Sequence, residues 1–161
     1  MLTADLYFSF RSPYSYLAIG RYRDLAATHA VDIALRPVYP LAIRQPDFFE
    51  RNHPNWLRYT FTDMFRVAQM EGIPFGPPRP DPIVQNPATR EIAAEQPYIR
   101  RITRLGQAAA RRGKGLAFAA EAARLIWGGA QGWHEGEHLA GAATKAGLDL
   151  TELDAEANGE A

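Results

Sequence analysis

The chain has 161 residues, 47% of them hydrophobic, and its 18 basic and 18 acidic side chains cancel, so one domain with a real core is expected and nothing argues for nucleic acid or an anionic membrane as partner. It has no cysteine, which excludes a disulfide framework, a thiolate metal site and a catalytic thiol of its own. No run approaches the ~20 apolar residues of a membrane span, and Asp5 precedes any long apolar stretch, so no secretory signal is read and a soluble, cytoplasmic protein is expected.

Leu6, Phe8 and Phe10 alternate with Tyr7 and Ser9, the pattern of a half-buried strand. The run stops at Ser12-Pro13. Serine is a strong N-cap and proline suits the first helical position, so a helix should begin there. It is expected over about Pro13 to Ala30, with Leu17, Ala18, Tyr22, Leu25 and Ala26 on one apolar face. Val31 to Val38 alternates again, a second strand. Strand, helix and strand of this length make a βαβ unit, whose strands are parallel. The Ser12 hydroxyl then lies where backbone N–H groups and the positive end of a helix dipole converge, a place that favours anions.

Helical patterning follows. Leu57, Phe61, Met64, Phe65 and Ala68 share one stripe. Trp56, Tyr59, Phe61 and Phe65 are expected mostly in the core, with Trp56 and Tyr59 the first candidates to line an aromatic substrate pocket. Gly72 is placed as a C-cap and Pro74 forbids continuation. Pro74 to Pro87 holds six of the twelve prolines, a stiff extended connection. Further helical faces are Ile99, Ile102, Leu105 and Ala109, then Leu116, Ala119, Ala120, Ala123, Ile126 and Trp127, then a short one from Leu139 to Ala146 that ends at Gly147. No third strand is visible, and two strands do not form a stable sheet by themselves.

Two other patterns carry chemistry in principle. His134-Glu135-Gly136-Glu137-His138 matches H-E-x-x-H, which would make a zinc hydrolase if both histidines lay one turn apart on a sturdy helix. Gly128, Gly129, Gly132 and Gly136 weaken that helix. Arg100, Arg101, Arg104, Arg111, Arg112 and Lys114 form a basic cluster. With no aromatic platform interleaved, it is expected to be a solvated helix face balanced by the acidic tail of Asp149, Glu152, Asp154, Glu156 and Glu160.

The run from Phe8 to Ala18, F-S-F-R-S-P-Y-S-Y-L-A, resembles the opening of the 2-hydroxychromene-2-carboxylate isomerases and the related kappa-class glutathione transferases. Tyr59-x-x-x-Asp63-x-x-Arg66-x-Ala68-x-x-x-Gly72-Ile73-Pro74 resembles their inserted-helix signature, and Ala146-Gly147-Leu148-Asp149 resembles a later motif. The resemblance implies an α/β fold of the DsbA-like thioredoxin branch. Residues 1–38 would form the βαβ half, 39–147 an inserted helical domain, and 148–161 the start of the return to the thioredoxin domain. It further implies glutathione as cofactor and a small aromatic or hydrophobic substrate. The reactive Cys-x-x-Cys of thioredoxin-like proteins is replaced here by Ser12-Pro13-Tyr14-Ser15. Ser12 would hold the glutathione thiolate, Pro13 and Tyr14 would lie along the tripeptide, and Asn52 would contact it. A homodimer is implied as well.

The family's cis-proline loop, β-hairpin and final helix have no counterpart before Ala161, so the chain is expected to be C-terminally truncated. Phe8, Phe10, Ile33 and Leu35 would then be partly uncovered, the chain would either self-associate beyond a dimer or be only marginally stable, and without the cis-proline contacts it would bind glutathione weakly. The rival readings are a glutathione-binding protein without isomerase activity and a non-catalytic remnant that serves as an interaction module.

Overall fold

The computed structural model describes residues 1–45, 47–86, 88–89 and 91–159; Pro87 of the proline-rich connection and Glu160 of the acidic tail lie outside the described residues. Strands β1 (Leu2–Phe8) and β2 (Val31–Pro37) flank helix α1 (Pro13–Thr28). They pair in parallel, from Leu2 opposite Val31 to Phe8 opposite Pro37, as a βαβ unit requires. Short helices α2 (Leu41–Arg44) and α3 (Phe48–Arg51) lead into α4 (Pro54–Glu71), and after the proline-rich segment come α5 (Pro97–Arg111), α6 (Gly115–Trp127), α7 (Gly136–Lys145) and α8 (Leu150–Asn158). Proline occupies the first turn of α1, α4 and α5, where its missing N–H costs nothing. Gly72 and Gly147 take positive φ just past α4 and α7, and the N–H groups of Ile73 and Leu148 reach back to Ala68 and Ala143, which closes both helix ends.

Among the described residues no third strand joins the sheet, and helices cover its inner face. Phe8, Phe10 and Leu35 share one continuous core with Ile99, Ile102 and Leu105 of α5 and Phe118, Ala119 and Ile126 of α6. The expectation of a partly uncovered inner face is therefore corrected for Phe8, Phe10 and Leu35, which are at most 4% exposed, while Ile33 is half-buried. Glycine makes this possible. A Cβ on Gly106 would come within 2.7 Å of the Phe10 ring, and one on Gly115 within 2.9 Å of the Leu35 Cβ. What stays open is the edge of β1 away from β2, which no strand among the described residues pairs; Leu2 and Tyr7, on opposite faces of that strand, are exposed.

Three other expectations change. Helix α1 ends at Thr28 and buries Tyr16, Leu17 and Ile19, while Leu25 is exposed; the helix packs mainly against α6, with β2 and α4 beside it. On α4, Met64 and Ala68 are buried but Trp56, Tyr59, Phe61 and Phe65 are exposed. Only the Met64 and Ala68 side of the helix enters the core among the described residues, so the wider aromatic stripe splits between core and solvent. Finally, the acidic tail is helix α8. The Asp149 side chain accepts from Glu152 N–H at 3.0 Å, a cap in the usual sense, and Leu153 and Ala157 are buried.

Helix α8 is also where three members of the basic cluster, Arg101, Arg111 and Arg112, find partners. Arg101 grips Asp154 with two hydrogen bonds of 3.0 and 2.7 Å. Arg111 meets Glu156, and Arg112 bridges Glu152 and Glu156. The Arg111 hydrogen bond, followed by that of Arg112, holds the Glu156 carboxyl below its ordinary range.

Gly106 is expected to resist enlargement. Although alanine is favoured over glycine in a helix by about 1 kcal/mol, Gly106→Ala must displace Phe10 or Pro37 and should lose about 1–3 kcal/mol. Gly141→Ala on α7, with no atom within 4 Å of the new methyl, should gain up to about 1 kcal/mol. Urea unfolding of both variants measures the contrast.

Candidate functional site

β1 ends at Phe8, and the chain turns so that Ser12 N–H donates to the Ser9 carbonyl at 3.0 Å. Ser12 is extended, with φ −91° and ψ 117°, and Pro13 opens α1 behind it. The Ser12 Oγ accepts from Ser15 N–H at 3.2 Å. Capping uses a lone pair of the hydroxyl, so its O–H remains a donor. The first-turn backbone amides and the dipole of a 16-residue helix point the same way. The arrangement can therefore stabilise a negatively charged atom placed over the start of α1.

The turn is fixed from outside the βαβ unit. The Trp127 indole N–H donates to the Phe10 carbonyl at 3.0 Å. Arg11 forms a two-point ion pair with Asp81, at 2.6 and 2.7 Å, and its guanidinium lies 5.8 Å from the centre of the Trp127 ring. Asp81 also accepts from Ile83 N–H at 2.9 Å. The proline-rich segment that carries Asp81 is tied to its surroundings by its carbonyls: Pro74 accepts from the Tyr16 hydroxyl, Arg79 from Gly132 N–H, and Pro80 from the Trp133 indole.

The other side of the site comes from α4. The Tyr14 hydroxyl donates to Asp63 Oδ2 at 2.6 Å. Burial of the phenol, the hydrogen bond to Asp63 and the charge of that carboxylate push the Tyr14 pKa up to about 12, and Tyr59 adds to the effect. Tyr14 and Tyr59 are thus neighbours, with Asp63 one turn along from Tyr59. Trp56 sits a turn before Tyr59, its ring edge-on to Phe48 at 5.7 Å. Asn52 is placed more locally. Its amide N–H donates to the Phe48 carbonyl at 2.5 Å and closes α3.

The H-E-x-x-H pattern does not form on a helix. Helix α7 begins only at Gly136, because Gly132 turns the chain with positive φ just before it. His134 precedes the helix and packs against Tyr98 and Trp133, with ring centres 4.6 and 5.8 Å apart, while His138 lies exposed on α7. The one-turn spacing that a zinc pair needs is lost, which overturns the hydrolase reading. Among the described residues no group of three or more histidines and carboxylates is arranged to hold a metal, and no helix is long and apolar enough to cross a membrane.

Sequence patterning points to Ser12, Pro13 and Tyr14 but not to Arg11, Asp81 or Trp127. Arg11 and Asp81 are 70 positions apart, and nothing local announces their pairing.

A family model for the DSBA-like thioredoxin domain matches residues 3–161. Among solved structures, the chain is similar to a 2-hydroxychromene-2-carboxylate isomerase, with 24% identity and a TM-score of 0.65 over 96% of this chain and 70% of that one. It is also similar to a probable DsbA oxidoreductase from Streptomyces coelicolor, with 15% identity and a TM-score of 0.61 over 97% of this chain and 67% of that one. Among curated proteins none matches.

The Tyr14–Asp63 contact has a spectroscopic signature. The ultraviolet titration difference between wild type and Tyr14→Phe should contain one phenol ionising at about 12, and Asp63→Asn should lower it part of the way, burial keeping it above the ordinary tyrosine value. Because the raised value belongs to the folded state, the contact's share of stability is fully present below pH ~10 and is lost as pH rises through the folded value. An unshifted Tyr14 would contradict the geometry.

Proposed function

This chain belongs to the DSBA-like thioredoxin domain family, and we propose that within it the chain is a glutathione-dependent isomerase or kappa-type transferase acting on a small aromatic or hydrophobic substrate. The observation that carries the proposal is Ser12: a capped hydroxyl with a free donor, at the junction of β1 and α1, in a chain without cysteine. Disulfide exchange needs an attacking thiolate, which this chain cannot supply. Yet the surroundings that stabilise a thiolate at a helix N-terminus are intact. They suit a thiolate brought in by another molecule. The isomerase among the similar structures and the sequence resemblance both favour glutathione as that molecule.

Bound glutathione would supply the nucleophile, a thiolate able to add to a conjugated substrate and to leave again. The chain's own part is to hold and orient. Ser12 O–H would donate to the sulfur, and the positive end of the α1 dipole would favour its charged form. Pro13 presents no N–H there and fixes the backbone for close approach. Tyr14, held by Asp63, would border the tripeptide. Asn52, with its amide nitrogen on Phe48, would offer its carbonyl oxygen. The exposed rings of Trp56 and Tyr59 on α4 would face an aromatic substrate. The same proposal includes a homodimer.

Calorimetric titration with glutathione, with sedimentation of the same sample, tests this reading. The wild type should bind glutathione and sediment as a dimer. Ser12→Ala should lower turnover of a conjugated aromatic substrate by tenfold or more, on the order of the loss of one transition-state donor, and cost about 1 kcal/mol of stability as a lost cap. Binding with no turnover in the wild type would favour the rival reading of a glutathione-binding module. No binding at millimolar glutathione, or turnover of Ser12→Ala within about twofold of wild type, against the donor loss just described, would remove the proposal.

A further inference from the structure

The turn that carries Ser12 is held by a side chain with no assigned part in the site. We propose that Arg11 is a positioning residue for Ser12: clamped by Asp81 and lying over Trp127, it sets the direction in which the Ser12 hydroxyl and the first amides of α1 face a bound anion. This inference rests on the reading of Ser12 as the thiolate-facing residue.

Arg11 is the residue immediately before the cap. Both of its bonds to Asp81 are short, 2.6 and 2.7 Å, and the pair is partly buried. A planar guanidinium held at two points fixes orientation as well as distance. The Trp127 ring lies beside that guanidinium, and its indole N–H takes the Phe10 carbonyl. Three consecutive residues, Phe10, Arg11 and Ser12, are thus pinned by groups from three different parts of the chain: α6, the proline-rich segment and the Ser9 carbonyl. Asp81 cannot drift to follow Arg11, because it also accepts from Ile83 N–H. The pair is therefore a fixed strut between the proline-rich segment and the cap. Its guanidinium is spent on Asp81, which leaves the anion to Ser12 and the helix terminus.

A thiol placed at position 12 reports on this directly. The chain has no cysteine, so S12C carries a single thiol whose pKa follows from the pH dependence of its alkylation rate, with no glutathione present. A helix N-terminus lowers such a thiol from about 8.5 into the range of roughly 3.5–7.5. If Arg11 positions the turn, adding D81N to S12C frees the guanidinium, loosens the turn and raises the thiol pKa by about one unit within that span. Adding R11K keeps the charge but loses the two-point grip, and should raise it as well. If Arg11 acts only as a nearby charge, D81N removes a negative group and lowers the thiol pKa, which overturns the proposal. A role in stability alone would lower Tm and leave the thiol pKa in place, which overturns it equally. Should D81N fail to fold, R11K decides: a raised thiol pKa in a folded protein supports positioning, and an unchanged one overturns it. Failure of glutathione to bind the wild type would strike the functional reading and leave this titration standing.

Discussion

Two parallel strands present too little surface to hold a core, and the architecture follows from how that deficit is met. Helices α5 and α6 lie across the buried face of the sheet at a separation that only glycine permits. Gly106 lets α5 settle onto Phe10 and Pro37, and Gly115 lets the start of α6 meet Leu35. Because the core passes directly from sheet to helices, the end of β1 is held in place where the turn to Ser12 begins. Phe10 is both the last core residue of that strand direction and the residue whose carbonyl Trp127 holds. Packing and site geometry meet in one residue.

Much of this is legible in the sequence where the governing forces are local. The Ser12 cap, the N1 prolines, the positive-φ glycines at 72 and 147 and the period of α5 and α6 each depend on a few neighbouring residues. Helix α8 was within reach too: Asp149 with Glu152 three residues on, followed by Leu150, Leu153 and Ala157, is a capped amphipathic turn hidden by its acidic composition. What sequence could not show is set by partners far along the chain. The exposure of Phe61 and Phe65 depends on which side of α4 has a neighbour, and the H-E-x-x-H pattern fails because Gly132 delays the start of α7. The Arg11–Asp81 pair depends on where the proline-rich segment runs, and that segment is tied down by distant partners, through its Pro74 and Pro80 carbonyls and its Gly76 N–H.

Charge in this molecule is arranged in two separate ways. Along α5 and α8 the ion pairs are numerous and open to solvent, and exposed pairs of that kind are individually weak. Their work is to orient a short helix that two buried side chains, Leu153 and Ala157, already attach. Around Ser12 the charges are few and spoken for. Arg11 answers to Asp81, and Asp63 accepts from Tyr14, so the start of α1 is left as a region where the backbone itself supplies the positive potential.

The open side of β1 divides that strand along its length. Leu2 N–H bonds the Ala30 carbonyl, and successive amides of a strand point to opposite sides. The amides of Ala4, Leu6 and Phe8 therefore face β2, while those of Thr3, Asp5 and Tyr7 face outward with no strand among the described residues beyond them. In deuterated solvent the outward amides can exchange without any opening of the sheet, whereas the inward ones wait for local or global unfolding. A single strand thus carries two clocks, and the difference between them is a direct measure of how firmly α5 and α6 hold a two-stranded sheet together.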